Sequence, residues 1–330
     1  MAQLKSVPPL ADAANAAMRI DPESMLRRLE WTVMRRLDGL LHGDYRTLFR
    51  GFGLDLADLR EYQPDDDVRY IDWNVTARLQ IPHIREFQED REVTAWFMLD
   101  LSASIDFGSQ KTIKRTLAAE FVTLLARLLT RYGNRVGAVL YADGAHLVIP
   151  PRSGRRHVLH LLDRMLRFKA NPEAGKAGQE TDLAKLLAHA QPAMKRRSVV
   201  FMVSDFISKP GWGKSLALLS RRHEIIAVRL YDPLEVKLPD LGLIVLQDAE
   251  TGEQLFVDTH DRGFRKRFAD AAEARENALR TNLAEAGIDC LELATDDRLD
   301  EALLNFTRLR KRRSQLAAGS LPKTFAGQPS

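Results

Sequence analysis

Three oxygen-bearing side chains stand at alternate positions just after one apolar segment of the sequence. The segment from Val93 to Leu99 shows no clean alternation of polar and apolar residues and leads directly into Asp100, Ser102 and Ser104. A run of this kind is typical of a strand buried on both faces, as in the parallel centre of an α/β sheet. Ligands bind outside the carboxyl ends of such strands. One carboxylate and two hydroxyls form a hard-oxygen set, which suits Mg²⁺ or Mn²⁺ and suits zinc poorly.

Two further oxygen-bearing residues occupy comparable places later in the chain. Residues 198–204 predict a second fully buried strand that ends at Asp205, and Thr181 opens a predicted helix. Because neighbouring strand tips lie close together, we expect five side chains to meet around one divalent cation. They are Asp100, Ser102, Ser104, Thr181 and Asp205. Four of them also have an ordinary interpretation, Thr181 as a helix N-cap and Ser102, Ser104 and Asp205 as turn residues, but the combination favours a metal site.

The elements that must position these groups alternate between strand and helix. Apolar spacing predicts helices at residues 111–132, 155–168, 181–190, 213–221, 261–286 and 298–311. Strands are predicted at residues 93–100, 135–141, 145–149, 198–204, 224–230 and 288–293, with a separate hairpin at 243–247 and 254–258. Strands alternating with helices over residues 93–293 indicate an α/β fold with a doubly wound, mostly parallel central sheet.

The chain on either side of this sheet has a different character. Ahead of it, an amphipathic helix is expected to start at Pro22 with Asp21 as its N-cap, and residues 44–92 are charged and rich in turn residues. That composition predicts a small β-rich appendage. After it, the tail beyond Ser314 is expected to be disordered. The predicted domains are 1–43, 44–92, 93–295 and 296–330.

Composition narrows the class of protein. A chain of 330 residues with 45% hydrophobic residues can bury a full core. The net charge of +4, from 49 basic and 45 acidic residues, is too mild to indicate nucleic-acid binding. The single cysteine, Cys290, excludes an internal disulfide and fits a reducing compartment. Without an apolar signal core or a run of roughly 20 apolar residues, we expect a soluble cytoplasmic protein.

The five oxygen positions resemble the metal-ion-dependent adhesion site of von Willebrand factor A domains. The matching segments are Asp100-Leu-Ser102-Ala-Ser104, Thr181-Asp182 and Ser204-Asp205. The resemblance covers about residues 93–293 and implies a Rossmann-like α/β fold with a divalent cation, usually Mg²⁺. Glu180 departs from the pattern, since many A domains have glycine before the threonine. Its carboxylate either binds the ion or points away.

The preceding segment resembles the family called domain of unknown function fifty-eight. The matching motifs are Gly51-Phe52-Gly53-Leu54, Leu59-Arg60-Glu61-Tyr62-Gln63-Pro64, Asp66-Asp67-Val68-Arg69, Ile71-Asp72-Trp73 and Glu86-Phe87-x-Glu89-Asp90-Arg91-Glu92. Members of that family pair a von Willebrand A-like domain with this upstream signature and are typically encoded beside MoxR-type AAA+ ATPases. The resemblance therefore implies such an ATPase as a partner.

Three functions follow from these observations. The first is a non-enzymatic, Mg²⁺-dependent protein-binding module that serves a MoxR-type AAA+ ATPase as an adaptor, in which an acidic side chain of a client completes the metal coordination. The second is a metal-dependent phosphohydrolase or nuclease, since metal ions activate water. Serines where a hydrolase would use carboxylates, and no placed catalytic Lys or His, argue against it. The third is a scaffold whose site is vestigial.

Three other groups of residues attract attention. His157 and His160 lie one helical turn apart, but no third ligand is visible, so a structural role is favoured over zinc. The acidic run 65–67 together with Asp72 fits a solvated turn better than a second cation site. The basic run 308–313 could contact phosphate, yet cations at a helix end are also ordinary.

Overall fold

The computed structural model describes residues 21–35, 59–63, 71, 76–77, 80–85, 94–109, 112–142, 144–168, 181–247 and 254–319. The chain divides into two compact units, which are described separately. They comprise residues 1–37 with 94–302, and residues 38–93 with 303–330. The predicted domain boundaries stay predictions. Glu180, the acidic run 65–67 and most of the upstream family motifs lie outside the described residues.

Ten strands and eight helices form in the described part of the chain. From the N-terminus they are α1 (Pro22–Leu29, continued by a π-helical turn at Glu30–Met34), β1 (Leu59–Glu61), β2 (His83–Arg85), β3 (Thr94–Asp100), α2 (Lys114–Arg131), β4 (Arg135–Ala142), β5 (Ala145–Arg152), α3 (Arg155–Arg167), α4 (Leu183–Ala190) and β6 (Val199–Ser204). They continue with α5 (Trp212–Ser220), β7 (Glu224–Tyr231), α6 (Pro233–Val236), β8 (Leu243–Gln247), β9 (Gln254–Asp258), α7 (Arg262–Glu285), β10 (Asp289–Ala294) and α8 (Leu299–Gly319).

A six-stranded sheet in the order β10-β7-β6-β3-β4-β5 forms the centre of the larger unit. Five strands are parallel, and only β5 runs antiparallel, as the hairpin partner of β4 at one edge. This arrangement confirms the predicted α/β class with a mostly parallel sheet. The register pairs Leu99 of β3 with Val203 of β6, so Asp100 and Ser204 end these two neighbouring strands at the same level.

The two central strands are apolar because helices cover both faces of the sheet. Successive residues of a strand point to opposite faces. Trp96 and Met98 accordingly join a core with residues of α4, α5 and α7. On the other face, the ring of Phe97 stacks on that of Phe201, with 5.3 Å between the ring centroids. The ring of Phe121 on α2 meets Phe201 edge-on, with 6.2 Å between the centroids.

Local signals explain where the main helices begin and end. Asp21 caps α1 as predicted, with its Oδ2 accepting a hydrogen bond from Ser24 N at 2.9 Å. Gly133 follows α2 with a φ of +82°, the left-handed conformation that suits glycine after a helix. The helix α8 extends to Gly319, so the predicted end at residue 311 and the predicted disorder directly after Ser314 were wrong. Residues 315–318 (Gln-Leu-Ala-Ala) are good helix formers, which accounts for the extension.

The remaining predictions that fall on described residues are simple to place. The hairpin β8-β9 forms, with Leu243 opposite Asp258. His157 is buried, and its Nε2 lies 2.7 Å from the carbonyl oxygen of Val136, in keeping with a structural role. Among the described residues, none of the helices combines the length and the apolar character that crossing a bilayer requires.

Candidate metal centre at the carboxyl ends of β3 and β6

Asp100 ends β3 with both of its carboxylate oxygens held. Its Oδ1 accepts a hydrogen bond from Ser102 N at 3.1 Å, and its Oδ2 accepts one from the hydroxyl of Ser204 at 2.8 Å. The side chain is almost fully buried. Ser204 lies on the neighbouring strand and also accepts a hydrogen bond from Phe206 N at 2.8 Å. The two strand tips are therefore joined through this carboxylate, and its orientation is fixed.

The two serines of the motif lie in the tight turn that follows β3. Ser102 precedes a 3₁₀ turn at Ala103–Asp106, and both hydroxyl groups are buried, with 3.2 Å between Ser102 Oγ and Ser104 Oγ. Two adjacent ligands of an octahedral Mg²⁺ at about 2.1 Å would lie about 3.0 Å apart. The spacing of the hydroxyls therefore matches one edge of such an octahedron.

Asp205, the first residue after β6, is bound to a buried lysine. Lys114 Nζ donates hydrogen bonds to Asp205 Oδ2 at 2.8 Å and to Glu235 Oε1 at 2.7 Å, and the lysine side chain has no exposed surface. Ile207 N donates to Asp205 Oδ1 at 3.1 Å. This carboxylate thus already has a cationic partner, whereas Asp100 is held only by neutral donors.

The electrostatics of the centre favour additional positive charge. Burial raises the pKa of Asp100 to about 7, with a further contribution from the charge of Asp205, against the hydrogen bonds from Ser204 and Ser102. Burial alone would lower the pKa of Lys114, but the charges of Asp205 and Glu235 outweigh it and raise that pKa. Asp205 and Glu235 share the Lys114 ammonium, and Asp100 adds a third carboxylate close to Asp205, so the group carries a formal charge of −2 when all are ionised. A divalent cation would balance that charge.

Thr181 lies in a loop that is tied to the segment following β6. Its carbonyl oxygen accepts hydrogen bonds from the hydroxyl of Ser208 and from Lys209 N, both at 3.0 Å, and the residue is buried. The N-cap of α4 is Asp182, which accepts from Ala184 N at 3.1 Å. The alternative interpretation of Thr181 as that N-cap was therefore wrong. An aspartate is as good a cap as a threonine, and here it stands one residue closer to the helix.

The donor set fits a hard divalent cation. Asp100, Ser102 and Ser104 form one connected group, and Asp205 lies close enough to Asp100 for its charge to raise that pKa. No group of three or more His, Cys, Asp or Glu side chains in the described part of the chain has the arrangement of a metal site. A cation here would therefore depend on hydroxyl ligands, and it would share Asp205 with Lys114 or reach it through water.

Sequence reasoning did not identify Lys114 as a buried residue, nor Glu235 as its second partner. A signal for the lysine did exist, because Lys114 and Arg115 open α2, where the positive end of the helix dipole disfavours cations. Arg115 is buried as well and donates to Leu101 O and to Asp106 Oδ2, both at 3.1 Å. Two buried cations at a helix N-terminus imply carboxylates brought to them by other segments.

Asp232 was also missed as a residue that organises this edge of the sheet. Its carboxylate accepts hydrogen bonds from the backbone and the hydroxyl of Ser109, at 2.8 and 2.5 Å, and from the hydroxyl of Thr295 at 2.7 Å. Burial would raise the pKa of Asp232, but these hydrogen bonds outweigh it and lower that pKa. The residue also forms a capping box with Glu235 at the start of α6. The hydrogen bonds of Asp232 thereby connect the loops after β3, β7 and β10. The sequence Asp-Pro-x-Glu was the signal for the capping box.

The strand order and the helices on both faces define an α/β protein with a mostly parallel central sheet. Residues 58–278 match the family described as "Protein of unknown function DUF58", and the chain belongs to that family.

Relatives of similar length and solved structures extend the comparison. The "Uncharacterized protein Rv1480" of Mycobacterium tuberculosis is 38% identical over 88% of this chain and 91% of its own length, and "Uncharacterized protein Mb1516" of Mycobacterium bovis shows the same values. The crystal structure of BatB from Bacteroides thetaiotaomicron has a TM-score of 0.43 at 12% identity, covering 68% of this chain and 99% of that one. The SpRpn10 VWA domain has a TM-score of 0.36 at 13% identity, covering 64% and 94%. Neither of these two structures bears on function.

Proposed function

We propose that this protein is a non-enzymatic, protein-binding module that depends on Mg²⁺ or Mn²⁺. The observation that carries the proposal is the 3.2 Å spacing of the Ser102 and Ser104 hydroxyls beside the buried Asp100 carboxylate, at the tip of the strand next to Asp205. Thr181 lies in the loop tied to the segment after β6, and we expect its hydroxyl to be a further ligand. These five residues would hold the ion.

The chemistry of the donors suggests what the partner contributes. Hydroxyl ligands are neutral, so a bound Mg²⁺ would keep positive charge and an open position for an oxygen ligand. A carboxylate from a partner would fill that position. The family resemblance supplies the partner class, a MoxR-type AAA+ ATPase, with this chain as an adaptor or cofactor that presents a client during complex assembly or maturation.

The metal requirement can be tested by calorimetric titration of the purified protein with Mg²⁺ and Mn²⁺. We expect the double variant Ser102→Ala with Ser104→Ala to lose binding, while Ser215→Ala, an exposed serine on α5, binds as the wild type does. Each variant loses only hydroxyl groups, so the pair is matched chemically. Equal binding by the wild type and the double variant would contradict the proposal.

The partner can be tested with the MoxR-type ATPase encoded in the same genome. We expect the immobilised protein to bind it in Mg²⁺ and to release it in EDTA, and we expect Asp100→Asn to behave in Mg²⁺ as the wild type does in EDTA. Binding that ignores both the chelator and the substitution would refute the metal-dependent part of the function.

One observation favours the enzymatic alternative and needs a separate test. Lys114 Nζ lies 2.8 Å from Asp205, so a lysine that the sequence did not place there stands beside the site. However, this lysine has no exposed surface, and its raised pKa keeps it protonated, so it cannot accept a proton from a nucleophilic water. We expect no Mg²⁺-dependent turnover of p-nitrophenyl phosphate or single-stranded DNA. Turnover that Asp205→Asn abolishes would establish the hydrolase instead.

A further inference from the structure

The candidate metal centre contains a cation that belongs to the chain itself. Lys114 lies in the first turn of α2 and has no exposed surface, and its Nζ donates to Asp205 Oδ2 at 2.8 Å and to Glu235 Oε1 at 2.7 Å. This place is unfavourable for an ammonium group in two ways. Burial removes it from water, and the positive end of the helix dipole opposes it. The charges of the two carboxylates offset both costs.

The two carboxylates that hold Lys114 differ in their other contacts. Asp205 is a candidate metal ligand, and its side chain is 1% exposed. Glu235 lies on α6 with a side chain that is 22% exposed, and its Oε2 accepts a hydrogen bond from Asp232 N at 3.0 Å as part of the capping box. The capping box therefore holds Glu235 in place independently of the lysine. Glu235 remains available to the ammonium group when Asp205 takes another partner.

A divalent cation and Lys114 would compete for Asp205. Both oxygens of this carboxylate already accept hydrogen bonds, Oδ2 from Lys114 and Oδ1 from Ile207 N at 3.1 Å. Positive charges a few ångströms apart repel each other strongly in buried surroundings. A cation bound to Asp205 would therefore weaken the contact between Asp205 and Lys114. The lysine side chain is flexible, so its ammonium group can shift towards Glu235, which it already contacts.

We propose that Lys114 sets the metal affinity of the centre, as an internal counter-charge that binds Asp205 in the metal-free protein and passes to Glu235 when a divalent cation binds. The inference deepens the proposed function and rests on it for the location of the metal. The lysine lowers the affinity for the cation, and Glu235 restores part of that affinity by accepting the ammonium group.

The test measures the affinity of the full chain for Mg²⁺ by calorimetric titration. We expect Lys114→Met to bind Mg²⁺ about tenfold more tightly than the wild type, because the competing charge is removed. We expect Glu235→Gln to bind about fivefold more weakly, because Lys114 then has only Asp205 as an ionised partner. In the Lys114→Met background, Glu235→Gln should change the affinity less than about twofold, since Glu235 acts through the lysine.

The matched control is Glu120→Gln, which makes the same chemical change on α2. Glu120 is also ion-paired, with Arg28, and its side chain is 20% exposed, against 22% for Glu235. We expect this variant to change the Mg²⁺ affinity less than about twofold, since Glu120 does not contact Lys114. Circular dichroism verifies that each variant folds. If Lys114→Met does not fold, the comparison of Glu235→Gln with Glu120→Gln decides.

The outcomes separate this inference from the proposed function. Equal Mg²⁺ affinity of the wild type and Lys114→Met, or equal effects of Glu235→Gln and Glu120→Gln, overturns the role of the lysine and leaves the metal site standing. Binding by Lys114→Met but not by the wild type upholds the role of the lysine and overturns the metal-dependent function. Absence of binding by the wild type and by every folded variant overturns both.

Discussion

The two long helices on opposite faces of the central sheet differ in how much of them is buried. Helix α2 buries 14 of its 18 residues, whereas α7 buries 3 of its 24. The buried surface of α2 is apolar except near its ends and at Thr123, and its two buried charges, Lys114 and Arg115, stand at the candidate metal centre. Helix α2 thus couples stability to the site, whereas little of α7 belongs to the buried core. Substitutions of matched kinds should separate the two roles.

The largest effect is expected from Lys114→Met. Removing the ammonium leaves the buried carboxylate of Asp205 without its cationic partner, and breaking a buried ion pair from one side costs about 3–5 kcal/mol of unfolding free energy. Urea denaturation followed by circular dichroism measures the loss. Adding Asp205→Asn to Lys114→Met removes the stranded charge and should restore part of the stability. A single variant as stable as the wild type would show that the lysine is not an internal counter-charge.

A somewhat smaller effect is expected from Leu125→Ala on the same helix. Leu125 is buried, and removal of its side chain leaves a cavity that costs about 3 kcal/mol. The matched change on α7, Asn277→Ala at an exposed position, should alter the unfolding free energy by less than about 0.5 kcal/mol. The same urea titration compares them. Similar losses at the two sites would remove the contrast between the helices.

A smaller effect is expected in the pH dependence of the unfolding free energy, which tests the side of the sheet where α3 packs on α2. Burial is the main cause that lowers the pKa of His157 from its ordinary value of about 6.5. As the pH falls, this histidine therefore takes up a proton in the unfolded chain before it does so in the folded protein. The contribution of His157 to stability is present above about pH 6.5 and is lost as the pH drops below that value. Chemical denaturation between pH 7 and pH 5 should show a shallower fall for His157→Gln. Parallel curves would mean that this histidine does not contribute.

The smallest change is expected from Lys266→Met on α7. The side chain is exposed and has no ion pair among the described residues, so the unfolding free energy should change by less than about 0.5 kcal/mol. It provides the direct counterpart to Lys114→Met, because the same two residue types are exchanged in both. A loss of several kcal/mol at Lys266 would show that this half of α7 stabilises the fold.

Most of the fold could be predicted because its signals are local. The apolar runs that become β3 and β6 have the composition of strands covered on both sides, and the Asp21-Pro22 cap marks the start of α1. Helix ends were harder. The helix predicted at 111–132 begins only at Lys114. Helix α8 runs past its predicted end because good helix formers continue beyond the last apolar position.

The candidate site could be predicted only in part. Asp100 and its two serines are close in sequence, so their grouping follows from one strand and one turn. Lys114 and Asp205 are 91 positions apart in the sequence, so no local pattern indicates that they pair. A search for apolar periodicity treats a lysine in the first turn of a helix as solvent-facing. Only the three-dimensional structure shows that Asp205, at the carboxyl edge of the sheet, already has a cationic partner.

The antiparallel strand β5 has a consequence for self-association. It lies at the outer edge of the described sheet and ends in Pro150, Pro151 and Arg152, and its pairing with β4 becomes irregular at that point. Proline has no N–H to donate, and a charged residue beside it opposes the approach of another strand. This margin is therefore a poor template for strand addition between molecules.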